Sequence, residues 1–207
     1  MSESKYLYVL FSSTPYRMGR MIRFITREPY NHVSIALEEN LTALYAFARR
    51  YYRTPFYGGF VSESPSRYHH RSRTASVSLY RVRVSEAQWL SIKERIDGME
   101  SCSQRYLYNH LSAMAAPLHR KVSIRDAYTC AEFAVSVLHS AGIGLDPKRF
   151  YTIGQIRDTL EGCHVYSGLF PVPPVHNDTF FLPHPVSHPI FHSTKDLLRL
   201  IHRRVNP

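Results

Sequence analysis

The sequence predicts an α+β fold in which an antiparallel sheet packs against helices, and three observations support it. Apolar residues make up 44% and aromatic residues 13% of the 207-residue chain, which is enough for a hydrophobic core and excludes a disordered or collagen-like protein. Short segments that alternate between apolar and polar residues are typical of half-buried strands. Longer segments with helical periodicity and capping residues lie between them. The length suits one compact domain.

The strand pattern recurs along the chain, with predicted strands at 5–11, 30–37, 43–49, 76–84 and 163–169. In the second strand, Val33 and Ile35 alternate with His32 and Ser34, so one face is apolar and the other polar. The second and third strands form a predicted hairpin that turns at 38–42. This turn places either Phe47 or Arg49 opposite His32. The following residues, 50–74, are aromatic, basic and rich in turn residues, and they predict a long loop.

Helical segments are predicted at 16–27, 85–97, 104–116, 126–142, 151–162 and 195–204. The first is an amphipathic basic helix, with apolar residues on one side and Arg17, Arg20, Arg23 and Arg27 on the other. Residues 1–170 are expected to form one domain. Prolines are frequent from 171 to 189, so residues 171–207 are expected to form a Pro-rich extension that ends in a basic helix. We find no long apolar run and no signal-peptide pattern, which predicts a cytoplasmic protein.

The charge balance is strongly basic, at +10 with neutral histidines. This favours an anionic partner, such as an acidic ligand or an anionic membrane surface. Nucleic acid is a less favoured partner, because we find no nucleic-acid-binding motif and the tyrosines are scattered along the chain. Candidate anion-binding residues in the basic loop region are Arg49, Arg50 and Arg53.

Of the three cysteines, Cys130 is the candidate nucleophile. The three cysteines are widely spaced and contain no CxxC pair, so neither a metal site nor a disulfide framework is predicted, and no cofactor is indicated. Cys130 lies at the predicted start of a helix, where free amides and the helix dipole stabilise a thiolate. The alternative is a small buried apolar residue. Cys102 and Cys163 have no such setting and are interpreted as structural.

A thiol nucleophile needs a base, and His32 is the strongest candidate because it begins a strand on its polar face. The alternative is a structural histidine held by hydrogen bonds. Cys130 and His32 need only meet in space, so each interpretation supports the other.

The segments YNHVSIAL (30–37) and YTCAEFAVSVLHSAGI (128–143) resemble those of the circularly permuted papain-like hydrolases, NlpC-type proteins that include the lecithin:retinol acyltransferase-like group. In that arrangement a strand-borne histidine precedes a helix-borne cysteine, and the resemblance covers roughly residues 5 to 165. It implies that Cys130 is the nucleophile and His32 the general base, with Tyr128 lining the site.

The family usually has a third polar residue that orients the imidazole. Phe47 and Arg49 are poor acceptors for an imidazole N–H, so Tyr45 is the nearest polar candidate, and Ser34 is a further site-lining candidate. The sequence therefore predicts a cysteine hydrolase or acyltransferase acting on an amide, ester or thioester of a small-molecule, peptide or lipid-like substrate. The alternative is a catalytically inactive module that binds an anionic ligand or membrane surface.

Overall fold

A computed structural model of the protein describes residues 4–54, 56–175, 178–182 and 187–205. The fold is α+β, and its main feature is an eight-stranded sheet in the order β10-β7-β1-β2-β3-β4-β8-β9. These strands are β1 (Lys5–Ser13), β2 (His32–Ala36), β3 (Leu44–Arg49), β4 (Gly58–Glu63), β7 (Ser76–Val84), β8 (Leu107–Tyr108), β9 (Ala127–Tyr128) and β10 (His164–Leu169). A separate two-stranded sheet pairs β5 (His69–His70) with β6 (Arg73–Thr74).

The sheet corrects the sequence prediction in two respects. It is mixed, because β8 and β9 run parallel while the other neighbouring strands are antiparallel. Residues 50–74 are not a long irregular loop, since they contain β4, β5 and β6. The register between β2 and β3 pairs Ile35 with Tyr45, which falls between the two registers predicted from the hairpin turn.

The helices are α1 (Arg17–Thr26), α2 (Glu86–Ser101), α3 (His110–Ala115), α4 (Cys130–Ser140), α5 (Ile153–Asp158) and α6 (Ser187–Val205). The predicted helix at 104–116 is reduced to α3, because β8 and a short 3-10 turn occupy its first half. The C-terminal helix α6 is longer than predicted and begins before Lys195.

Helix α1 confirms the predicted helix, and it turns much of its apolar side outward. Its apolar residues Met21, Phe24 and Ile25 are exposed, and the buried residue of the helix is Gly19. A Cβ at Gly19 would lie within contact distance of the Thr14 and Asn31 side chains, so this face approaches the chain too closely for larger residues. The hydrophobic pattern therefore identifies the helix but does not decide which side is buried.

Two hydrophobic cores cover the sheet. The larger core joins Val33, Ile35 and Phe47 to apolar residues of α2 and α4. The smaller core includes Ala36, Leu44 and Tyr68, with the Tyr68 ring stacked on Phe170 at 4.3 Å between centroids. The sheet is thus buried from both sides near β2, where the predicted histidine lies.

The described part of the C-terminal extension packs against the rest of the chain. Val175 exchanges two hydrogen bonds with the Ser66 hydroxyl, and Phe180 lies over the Arg67 guanidinium at 4.3 Å. Leu200 of α6 is fully buried against Leu107 and its neighbours. Within the described residues, no helix has the length and hydropathy that crossing a membrane requires.

Candidate active site

Cys130 is the first residue of α4 and is buried at the wall of a cavity. Thr129 precedes it as the N-cap, and a capping box joins Thr129 and Glu132. The Thr129 hydroxyl accepts from the Glu132 amide at 3.2 Å, and the Glu132 carboxylate accepts from the Thr129 amide at 2.7 Å. This arrangement leaves the amides of Cys130 and Ala131, which have no acceptor within the first turn, beside the thiol. The helix start therefore supplies hydrogen-bond donors where an oxyanion would form.

His32 is the first residue of β2, and its imidazole is buried beside Cys130. The ring nitrogen Nε2 lies 2.9 Å and 3.1 Å from the two carboxylate oxygens of Glu63. Burial alone lowers the pKa of His32, but the Glu63 charge and the hydrogen bonds with Cys130 and Glu63 raise it well above its ordinary value of 6.5. The structure thus brings the two predicted catalytic residues together, with an imidazole whose affinity for a proton is raised.

Glu63 is a site residue that the sequence analysis missed. It ends β4 with a buried side chain, and its carboxylate also accepts hydrogen bonds from the Ser34 hydroxyl at 2.7 Å and the Tyr68 hydroxyl at 2.9 Å. Burial alone raises the pKa of Glu63, but the charge and hydrogen bond of His32 lower it below its ordinary value of 4.5, helped by Arg67 and Ser34. Glu63 is therefore an ionised carboxylate that holds the imidazole.

Arg67 adds a second positive charge beside the Glu63 carboxylate. The Arg67 guanidinium lies 3.8 Å from the carboxylate, so Glu63 has a second cationic neighbour besides His32. With His32 protonated, this buried group holds two positive charges and one negative charge. Since buried charge is stable only when compensated, Glu63 is the anion on which the burial of both cations depends.

Ser34 takes the role of a connecting residue, and Tyr45 does not act as the third polar residue. The Ser34 hydroxyl lies 3.1 Å from His32 Nε2 and 2.9 Å from the Tyr68 hydroxyl, so it links the groups around the carboxylate. Tyr45 instead stacks on Phe60 at 6.2 Å between centroids, in the larger core. Glu63 takes the position next to His32 for which Tyr45 was a candidate.

Tyr128 also lies away from the position expected for it. Its ring packs 5.1 Å from that of Phe47, and Tyr108, its neighbour across the β8–β9 pair, lines the cavity instead. Burial raises the pKa of Tyr108, and the nearby Cys130 and Glu132 raise it further. Tyr108 is therefore a neutral hydroxyl at the Cys130 end of the cavity.

The cavity beside Cys130 has a volume of about 430 Å³. Its walls come from α1, α3, the start of α4 and residues 147–153. Apolar side chains such as Ile22, Ile25 and Val135 line part of it, and His119, Lys121 and Arg149 provide basic groups. A cavity of this size and composition is typical of small-ligand sites.

The predicted anion-binding arginines lie elsewhere. The Arg49 side chain donates to the Tyr52 carbonyl at 2.8 Å, and the Arg50 side chain donates to the Ser103 carbonyl at 2.6 Å. Burial lowers the pKa of both side chains. Arg53 is exposed, and none of the three lines the cavity. The first two thus hold backbone segments together, and the binding of an anion by this group stays a prediction.

Comparison with known proteins adds no assignment. No family model, curated protein or solved structure matches the chain. Within the described ranges, no three His, Cys, Asp or Glu side chains are grouped as a metal site would require. The geometry at Cys130 is therefore the feature from which a function can be inferred.

Proposed function

We propose that the protein is a cysteine-dependent hydrolase or acyltransferase that acts on an amide, ester or thioester. One observation carries this proposal: a thiol at the start of a helix lines a cavity and lies close to a buried imidazole that a carboxylate holds in place. Nucleophile, base and orienting group are the three parts that nucleophilic catalysis requires. The order of strand-borne His32 before helix-borne Cys130 supports the resemblance to permuted papain-like enzymes.

The first half of the reaction forms an acyl-enzyme. His32 takes the proton of the Cys130 thiol, and the sulfur attacks the carbonyl carbon of the substrate. The carbonyl oxygen becomes an oxyanion, which the amides of Cys130 and Ala131 stabilise at the start of α4. His32 then gives its proton to the leaving amine, alcohol or thiol, and the C–N, C–O or C–S bond breaks.

The second half releases the acyl group. Water or a second acceptor gives a proton to His32 and attacks the thioester carbon, and the proton returns to the sulfur as the S–C bond breaks. Glu63 keeps the imidazole in one orientation and compensates its charge through both steps. The acceptor decides whether the enzyme is a hydrolase or a transferase.

The test is acylation by p-nitrophenyl esters of short and long acyl chains. We expect a burst of p-nitrophenol equal to the enzyme concentration, and a mass increase of one acyl group on the peptide that contains Cys130. Cys130→Ala abolishes both signals, and His32→Asn slows the burst by on the order of 10²-fold or more. Adding an amine acceptor then separates transfer from hydrolysis by the products formed.

Cys102→Ala and Cys163→Ala are matched controls, because both residues are free cysteines of the same chain. We expect both variants to keep the burst. Equal acylation of the wild type and Cys130→Ala would contradict the proposal. No burst with any ester, from a protein that is folded, would favour the inactive binding module instead.

A further inference from the structure

Exposed apolar side chains lie on two of the segments that line the cavity. On one side, Met21, Phe24 and Ile25 of α1 are 56%, 86% and 57% exposed. On the other side, Met114 of α3 and Leu118 of the turn after it are 77% and 72% exposed. We call these five residues the apolar rim.

The apolar rim is joined to the cavity by its neighbours in the chain. Ile22 and Ile25 line the cavity from α1, and Ala113, Ala116 and Pro117 line it from the opposite side. The rim residues lie between or beside these lining residues. The two exposed apolar groups therefore belong to two segments that line the same cavity, although they lie roughly ninety residues apart in the sequence.

Helix α1 is fixed in this orientation by polar contacts on its inner face. The Arg23 side chain donates to the Thr14 carbonyl at 3.2 Å and to the Asn31 side chain, and Gly19 packs against the same two residues. Exposed Phe24 and Ile25 are thus not the result of a loosely placed helix. Exposed apolar groups of this kind mark interaction surfaces.

Arginines surround the apolar side chains of α1. Arg17, Arg20 and Arg27 are exposed on or next to the helix, and α1 contains no acidic residue. A nucleic acid matches the arginines but leaves Phe24 and Met114 unburied. A second copy of the chain matches the apolar residues but brings the same arginines face to face. An anionic bilayer surface satisfies both, because it accepts apolar side chains below its charged headgroups.

We propose that the apolar rim docks on a bilayer surface that contains anionic lipids, with the mouth of the cavity turned toward the lipid. Met21, Phe24, Ile25, Met114 and Leu118 insert into the headgroup boundary, and Arg17, Arg20 and Arg27 contact the headgroups. This docking is independent of the chemistry at Cys130, since none of these side chains belongs to the buried group around His32.

The test is flotation of the full-length protein with two kinds of vesicle, pure phosphatidylcholine and an equimolar mixture of phosphatidylcholine and phosphatidylglycerol. We expect flotation with the anionic vesicles and little with the neutral ones. Phe24→Glu and Leu118→Glu should each weaken binding by on the order of tenfold, because each replaces an inserted apolar side chain with a charge. Arg17→Gln and Arg20→Gln should each weaken it by about fivefold.

Leu90→Glu on α2 is the matched control, because Leu90 is exposed at 47% and does not line the cavity. It should bind as the wild type does. Cys130→Ala should also bind normally, which separates this proposal from the proposed function. Circular dichroism of each variant checks that the fold is retained.

Three results would overturn the proposal. The first is no flotation, or flotation that the rim variants leave unchanged. The second is loss of flotation in Leu198→Glu on α6 alone, since that result would place the lipid contact on the exposed face of the C-terminal helix. The third is a dimer in sedimentation equilibrium that Phe24→Glu converts to monomer, because the rim would then be an interface between copies.

Discussion

The two sides of Cys130 reverse the usual distribution of polar and apolar groups. Behind it, His32 and Glu63 of the sheet and Tyr68 of the 3-10 turn after β4 are buried polar side chains, and hydrogen bonds satisfy them. In front of it, Phe24 and Leu118 are apolar side chains exposed to solvent. Burying polar groups costs stability unless each has a partner, whereas exposed apolar groups hardly contribute to folding. The first region therefore depends on the fold, and the second is available for contacts outside the chain.

Removing the buried carboxylate should have the largest effect. Glu63→Ala is expected to lower the free energy of unfolding by about 3–5 kcal/mol, because His32 and Arg67 lose the charge that compensates them. Urea denaturation followed by circular dichroism measures this change. Glu94→Ala on the exposed side of α2 is the control and should stay within about 0.5 kcal/mol of the wild type. An equally small effect of Glu63→Ala would show that the buried charges are not coupled.

The ion pair between Glu63 and His32 should make the free energy of unfolding depend on pH. The pKa of Glu63 is lowered from 4.5, so its contribution is present above pH 4.5 and is lost as the pH falls through the lowered value. The pKa of His32 is raised from 6.5, so its contribution is complete below pH 6.5 and is lost as the pH rises through the raised value. The melting temperature of the wild type, minus that of Glu63→Gln, should therefore be greatest between pH 4.5 and 6.5. A difference that is constant from acid to alkaline pH would argue against the ion pair.

A smaller effect is expected from one hydrogen bond in the same region. Tyr68→Phe keeps the ring stacked on Phe170 but removes the hydroxyl that donates to Glu63. The expected loss is about 2 kcal/mol, which is typical of a hydrogen bond to a charged group. Tyr8→Phe is a suitable comparison, since the Tyr8 hydroxyl bonds to the exposed Glu39 at 3.3 Å and should matter less. Equal losses in the two variants would remove the distinction between buried and exposed partners.

The apolar rim should give the smallest effect on stability. Phe24→Glu replaces a side chain that is 86% exposed, so the free energy of unfolding should change by no more than about 0.5 kcal/mol. Differential scanning calorimetry in the absence of lipid tests this. A large destabilisation would mean that Phe24 belongs to the folding core, and the contrast between the two sides of Cys130 would then fail.

The sequence predicts features that depend on a few neighbouring residues, and it misses those that depend on distant contacts. Cys130 and His32 were found because a capped helix start and an alternating strand can each be identified from a few neighbouring residues. Glu63 was missed because its role depends on β4 pairing with β3, where Glu63 lies opposite Leu44. The segment that contains it begins with two glycines and is rich in turn residues nearby, so it resembled a loop. The only signal was an acidic residue two positions after the apolar pair Phe60 and Val61.

Which side of α1 is buried could not be predicted from neighbouring residues either. Its apolar residues have the spacing of a core-facing stripe, and most helices of globular proteins bury such a stripe. Here the contact with the sheet is made by Gly19 and Arg23, whose partners Thr14 and Asn31 flank the helix in sequence. Periodicity defines the faces of a helix, but the partner that each face meets is a tertiary property.

The contact of Phe180 with Arg67 bears on the design of truncated fragments of this protein. A fragment that stops at residue 170 would contain every residue of the group around His32, yet the guanidinium of Arg67 would lose the aromatic ring that lies 4.3 Å from it. The hydrogen bond that the hydroxyl of Ser64, the neighbour of Glu63, donates to the Asp178 carboxylate would be lost as well. Where to end a recombinant fragment therefore affects the buried group around His32, and the fragment should include the C-terminal extension.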